Sequence, residues 1–248
     1  MIKEIQILAE LIKKSNNIVF FGGAGVSTES NIPDFRSADG LYNQKYAYPP
    51  EIILSHQFFK KNTEEFYRFY RDKMLFPEAK PNFAHEFLAK LEQDGKLRGV
   101  ITQNIDGLHQ KAGSLNVMEL HGSVHRNYCE KCGKFYSMKD ILNSQGVPKC
   151  SCGGIIKPDV VLYGESLDNN CVSKSIKLIA EAEILIVGGT SLNVYPAAGF
   201  LNYFNGKALC LINKDKTPFS GKADIEINGK IGKVFKEIES GDLTVELH

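Results

Sequence analysis

The sequence predicts an α/β fold: a doubly wound, mainly parallel open sheet with helices on both faces. Three observations carry this expectation. Short apolar runs rich in Val, Ile and Phe recur at 18–21, 99–102, 184–187 and 208–212, each closing on or giving way to Gly, Asn or Thr. Segments with helical periodicity lie between them, at 64–74, 84–93 and 172–181. Alternation of buried strands with helices is the pattern of a parallel sheet covered on both sides. Finally, 248 residues with 43% hydrophobic content supply enough chain for one sizeable core and a satellite.

Composition narrows the function. Lys+Arg is 30 and Asp+Glu is 29, a formal net charge of +1. This balance removes the electrostatic argument for a dedicated nucleic-acid binder. No run approaches the ~18 apolar residues of a membrane span. At the N-terminus Ile5, Leu8 and Ile12 recur at helical spacing with Leu11 beside them, so an amphipathic helix is expected. Charges at Lys3, Glu4 and Glu10 interrupt that run, which is unlike a signal peptide. A cytoplasmic protein is expected.

The first strand runs into Gly22-Gly23-Ala24-Gly25-Val26-Ser27-Thr28. Glycines after a strand let backbone approach a diphosphate, and Ser27 and Thr28 are candidates to cap a helix or donate to a phosphate oxygen. A tight strand-to-helix turn explains the same glycines. Next, Ile32-Pro33-Asp34-Phe35-Arg36-Ser37 sets an aromatic and a base beside a stiff proline. Arg36 suits a phosphate or ribose and Phe35 a flat ring, although Asp34 and Arg36 also make a plausible surface pair.

Two stretches break the strand–helix rhythm: 37–83 reads as a helical insertion and 124–157 as a Cys-, Gly- and Lys-rich one. Both are expected to pack on the main sheet. The large part then comprises 1–36, 84–123 and 158–248 of a single domain, 1–248.

The strand at 99–102 opens into Gln103-Asn104-Ile105-Asp106-Gly107-Leu108-His109. Polar side chains there need partners, either a ligand's hydroxyls and carboxamide or the loop's own backbone. Further on, His121 follows the apolar Leu120 and precedes Gly122, a candidate general base. His109 and His125 have weaker cases, and His56 and His85 read as surface or packing residues.

Six cysteines resolve into a cluster and two outliers. Cys129-x2-Cys132, seventeen residues, then Cys150-x-Cys152 offers four thiolates at zinc-ribbon spacing, with a tighter second knuckle than the usual two-residue gap. Four thiolates leave no open coordination position, so one structural Zn2+ is expected. Cys171 and Cys210 read as ordinary thiols.

Taken together these residues resemble the sirtuin family of NAD-dependent protein deacylases, of the short bacterial or archaeal type. The resemblance rests on Gly23-Ala24-Gly25-Val26-Ser27, Ile32 to Ser37, Thr102 to His109, Leu120-His121-Gly122-Ser123, the four cysteines, Lys157 to Glu165, Gly189-Thr190-Ser191-Leu192 and Leu211-Ile212-Asn213. It implies a Rossmann-like domain with a zinc-ribbon module and a helical module, binding NAD as a co-substrate. It also implies that Ala24, Thr28, Phe35 and Arg36 line the cofactor, that Gln103, Asn104, Ile105 and Asp106 form the ribose and nicotinamide pocket, and that Thr190, Ser191, Asn213 and the backbone near Ile231 hold the diphosphate and adenosine. By the same resemblance His121 is the general base, with Asn104 and Asp106 also catalytic, and the segment 160–165, from Val160 to Glu165, pairs with an extended acyl-lysine peptide.

The implied products are free lysine, nicotinamide and O-acyl-ADP-ribose. ADP-ribosyl transfer, NAD hydrolysis, or a non-catalytic NAD or acyl-peptide sensor are the alternatives. The sequence departs from the family at Asn31, where glycine is usual, and at Gly22, where threonine is usual. No Arg lies between Tyr42 and His56 to bind an acidic acyl group, so acetyl or another uncharged acyl group is expected.

Overall fold

A computed structural model describes residues 1–34 and 48–241. In chain order its elements are α1 (Ile2–Lys14), β1 (Ile18–Gly22), α2 (Pro50–Ile53), α3 (His56–Lys61), α4 (Thr63–Lys73), α5 (Phe83–Gln93), β2 (Leu97–Thr102), α6 (Leu108–Ala112) and β3 (Val117–Glu119). They continue with β4 (Gly122–Cys129), β5 (Phe135–Ser137), α7 (Met138–Asn143), β6 (Ile156–Val160), α8 (Asn169–Glu181), β7 (Ile184–Gly188), β8 (Ala208–Asn213), β9 (Ile225–Asn228) and α9 (Ile231–Ser240). Short 3-10 turns follow β1 and β7.

The main sheet has six parallel strands in the order β3-β2-β1-β7-β8-β9. The chain winds outward from β1 to one side, then returns to the other side at β7. That is the doubly wound Rossmann order, and its switch point lies between β1 and β7. The four anticipated strands are present, each longer by one or two residues; β3 and β9 complete the two edges.

Side-chain alternation assigns the layers. Ile18 and Phe20 of β1, with Ile184 and Ile186 of β7, face a core shared with α1, α5 and α9. Val19 and Phe21, with Leu185 and Val187, face the opposite core under α8 and the turn Ala197–Tyr203. All five residues of β1 are buried, as a central parallel strand requires. In α1, Ile5, Leu8 and Ile12 form the buried stripe, and burial of each is worth roughly 1.5–3 kcal/mol. Lys96 Nζ caps the end of that helix, donating to the carbonyls of Ile12 and Lys13. At the start of α5, Asn82 accepts from Ala84 N while its Nδ2 reaches Val26 O and Ser30 Oγ, tying the helix to the glycine turn.

The two insertions share a core with one another. Phe58, Phe59, Phe66, Tyr67 and Tyr70 of the helical part cluster with Val124, Ile141 and Ile156 of the cysteine-rich part and with Val160 and Leu162 just after it. Arg71 of α4 reinforces this joint by donating to Ile141 O, Ser144 Oγ and Gly146 O beyond α7. The second sheet, β5-β4-β6, is antiparallel and three-stranded. Its strand β4 begins directly after His121. Gly122 is obligatory there: its φ is +75°, and a Cβ would lie 1.9 Å from Asp159 O.

Candidate active site and thiolate cluster

The loops after β1, β2, β3 and β7 converge on the carboxyl ends of the parallel strands at the switch point. Gly25 N donates to Gly189 O at 2.8 Å, so the turns after β1 and β7 touch. A Cβ on Gly25 would stand 2.8 Å from Gly189 Cα, and one on Gly23 would stand 2.8 Å from Gln103 Oε1. These glycines therefore answer to the close packing of three strand ends. Asn31 takes φ 62°, the left-handed conformation that Asn tolerates, so that turn survives without glycine.

The hydroxyls after the glycines face inward. Ser27, 1% exposed, donates from Oγ to Asp106 Oδ2 at 2.7 Å and accepts from Asn104 Nδ2 at 3.0 Å. Thr28 Oγ1 donates to Gly25 O within its own turn. Ser27 is thus the hub that joins two candidate site residues, a role the sequence reading missed. Asp106 also accepts from Leu108 N at 2.9 Å. Burial pushes the Asp106 carboxyl above its usual range, and the bonds from Ser27 and Leu108 oppose that rise. His125 Nε2 donates to Asp106 O, its ring covering Gly107.

Gln103 Oε1 accepts from Thr190 Oγ1 at 3.0 Å, while its Nε2 is buried without a partner among the described residues. A buried amide donor at a sheet switch point fits the oxygens of a dinucleotide, so the site matches NAD on this structure's own terms. Ile105 packs against the core shared by the insertions, while its carbonyl accepts from Val124 N. Ala24 lies in the first turn after β1 and Ser191 in the loop after β7. Leu192 follows with φ 55° and a buried side chain, a strained position. Asn213 ends β8 with its amide on Asp215 O. The Ile231 side chain, 2% exposed, is buried in the core, leaving only its backbone at the start of α9. Phe35 and Arg36 lie outside the described residues, as do Tyr42 and Lys45.

His121 has the geometry of a base. Its Nδ1 lies 2.9 Å from Gln103 O. A carbonyl only accepts, so Nδ1 carries the proton and the neutral ring keeps its lone pair on Nε2. Burial lowers its pKa and favours the neutral ring, and the bond to Gln103 only partly opposes this. The carbonyl of His121 accepts from Val161 N at 3.0 Å, so His121 is pinned to the segment 160–165.

The four cysteines meet as expected. Their Sγ atoms all lie within 4.8 Å of one another, with Cys129–Cys152 at 3.5 Å and Cys132–Cys150 at 3.6 Å. A tetrahedron with Zn–S near 2.3 Å has edges of about 3.8 Å, whereas a disulfide needs ~2.05 Å. The donor set fits Zn2+, and the cysteines are free thiols. The tight second knuckle is solved by a turn: Gly153 N donates to Cys150 O, with Gly153 at φ +80°. Cys171 is half-buried on α8 and Cys210 buried in β8.

A doubly wound parallel sheet with a polar switch-point crevice, joined to a thiolate metal module, defines a dinucleotide-binding α/β enzyme class. Within that class the family model of the Sir2 family matches residues 23–196. The chain belongs to the Sir2, or sirtuin, family. It is 61% identical over 239 residues to a NAD-dependent protein deacetylase of Clostridium perfringens, covering 95% of this chain and 98% of the relative. It is 57% identical over 242 residues to one from Clostridium acetobutylicum, covering 96% and 99%. Among solved structures, a Sir2 variant with a deacetylated p53 peptide and 3'-O-acetyl ADP ribose superposes with TM-score 0.89 at 39% identity, covering 96% of this chain and 98% of that one. A Sir2 bound to a propionylated peptide superposes at 0.84 and 38%, covering 97% and 99%.

Proposed function

We propose that this chain is a NAD-dependent protein-lysine deacetylase that removes acetyl or other uncharged acyl groups. The observation that carries the reading is His121, with a protonated Nδ1 fixed on Gln103 O and, among the described residues, no partner on the Nε2 beside the switch-point crevice. Bound NAD supplies an electrophilic ribose carbon and a hydroxyl that takes the acyl group, so nicotinamide and O-acyl-ADP-ribose are the products. His121 Nε2 takes the proton of a hydroxyl set before it, and burial keeps the ring in the neutral form that can accept it.

The remaining residues bind and orient. Asn104 and Asp106, locked through Ser27, form with Gln103 and Ile105 the ribose and nicotinamide pocket, while Ala24, Thr28, Phe35, Arg36, Thr190, Ser191, Asn213 and the backbone at Ile231 hold the rest of the cofactor. Cys129, Cys132, Cys150 and Cys152 hold a structural zinc that fixes the sheet β5-β4-β6. The acyl-lysine peptide docks as an extended strand along 160–165, where backbone pairing makes recognition tolerant of side chains.

A cytoplasmic location is supported by six free cysteines. Among the described residues no helix is long and apolar enough to cross a membrane. The net charge of +1 supports no dedicated nucleic-acid role.

The reading is tested with His121→Ala. The variant is expected to bind zinc and melt like the parent yet form no deacetylated peptide; full activity would remove His121 from the role of base.

A further inference from the structure

The segment 160–165 carries a charged network that the reaction above does not use. Glu165, its last residue, is a hub reached from three sides. Its Oε2 accepts from Leu162 N at 2.9 Å and from Lys157 Nζ at 3.0 Å. Its Oε1 lies 2.7 Å from His56 Nδ1, at the start of α3 in the helical insertion. Its own N–H donates to Leu162 O at 2.9 Å. Glu165 therefore closes a turn over Leu162 to Glu165 from both ends, with Gly164 between them at φ +89°.

The network extends to both neighbours of that turn. Lys157 Nζ also donates to Pro158 O and Val160 O, holding the end of β6. His56 N donates to Tyr163 O and Tyr163 N to Leu54 O, a parallel bridge that ties the segment to the helical insertion. Glu165 and Lys157 are each about one-fifth exposed, which leaves their pairing only weakly screened. Burial pushes the Glu165 carboxyl up, but the bonds from Leu162, His56 and Lys157 outweigh it and hold it ionised.

We propose that Glu165, held by Lys157 and His56, is a positioning residue that shapes the backbone of 160–165 for the acyl peptide. The proposal rests on the reading of 160–165 as the peptide strand. The carboxylate consumes the N–H of Leu162 while the backbone N–H of Glu165 takes the Leu162 C=O in a local turn, and this fixes which backbone groups of the segment remain for an incoming strand. Because His56 belongs to the helical insertion, the same carboxylate sets the distance between that insertion and the peptide edge.

The test uses Glu165→Gln, Glu165→Ala and His56→Ala in the full chain. Gln keeps an acceptor for Leu162 N but loses the charge that holds Lys157; His56→Ala removes one arm at the surface. The KM for an acetyl-lysine peptide is expected to rise about tenfold in both Glu165 variants and a few-fold in His56→Ala. The KM for NAD, kcat and zinc content are expected to stay within about twofold. Peptide affinity measured without NAD by fluorescence anisotropy should weaken in parallel. Unchanged peptide KM and affinity, or equal losses in kcat and both KM values, would overturn the positioning role. Deuterium exchange of 160–165 in the parent protein, with and without peptide, separates the two claims. Protection there with no effect of the variants sinks the role of Glu165 alone, and no protection sinks the strand reading and the proposal with it.

Discussion

Ser27 Oγ donates to Asp106 Oδ2 at 2.7 Å, joining the turn after β1 to the loop after β2. The same oxygen accepts from Asn104 Nδ2. One buried hydroxyl thus orients two polar side chains at the mouth of the sheet, and it can do both only because it is donor and acceptor at once.

Ser27→Ala leaves a buried Asp106 oxygen and the Asn104 amide without their partner. Losing such bonds costs roughly 1–3 kcal/mol, so kcat/KM for nicotinamide release is expected to fall at least about tenfold. The melting temperature should drop as well, by roughly 2–12 °C at about 2–4 °C per kcal/mol for a chain of this size. Steady-state kinetics beside a thermal melt check this; unchanged kinetics would mean that the hub does not orient the pocket.

A pair of buried histidines makes the fold sensitive to acid. His85 and His109 face each other at 4.7 Å between ring centroids, and both are at most 1% exposed. Burial lowers the pKa of His85 to about 4 and that of His109 to about 3, from 6.5 in the free side chain. Between those values the unfolded chain binds more protons than the folded one, so stability is full above 6.5 and declines as pH falls toward 4 and 3. His109→Leu should flatten this decline by removing a titrating group, and among the described residues neither ring nitrogen of His109 has a partner to lose. Urea midpoints across pH 4–8 measure it; an equal slope in parent and variant would contradict the assignment.

Cys150→Ser removes one thiolate from the cluster. Zinc content is expected to fall from about one per chain to well below it. The β5-β4-β6 sheet should loosen, which hydrogen exchange on β4 and β6 would show. Because β4 leaves directly from His121, activity should fall with it. Metal analysis of freshly purified protein finding full zinc in the variant would exclude Cys150 as a ligand.

Much of this architecture was readable from the sequence because the strands of the sheet interior are continuous apolar runs. β1, β2, β7 and β8 are of that kind. β9 alternates, with Ile225 and Ile227 buried and Glu226 and Asn228 exposed, and this weaker signal left it unassigned. β3 has only three half-buried residues. The cysteine spacing revealed the thiolate cluster, since few other arrangements use four such donors.

What could not be read was pairing at a distance. The aromatic stripe of α4 announces a buried face but not its partner, so the shared core of the two insertions appears only in three dimensions. Ser27 looked like a phosphate donor, because nothing local reveals Asn104 and Asp106 more than seventy positions away. The sequence-level concern over Cys150-Ser151-Cys152 dissolves for the opposite reason, since Gly153 supplies the turn next door.

The central claim is that one acyl group leaves lysine for each NAD cleaved. The most direct measurement incubates the zinc-loaded protein with an acetyl-lysine peptide and NAD and quantifies three products by mass spectrometry. The account predicts deacetylated peptide, nicotinamide and O-acetyl-ADP-ribose in equal amounts. Nicotinamide released with the peptide still acetylated, or no turnover at all, would contradict it.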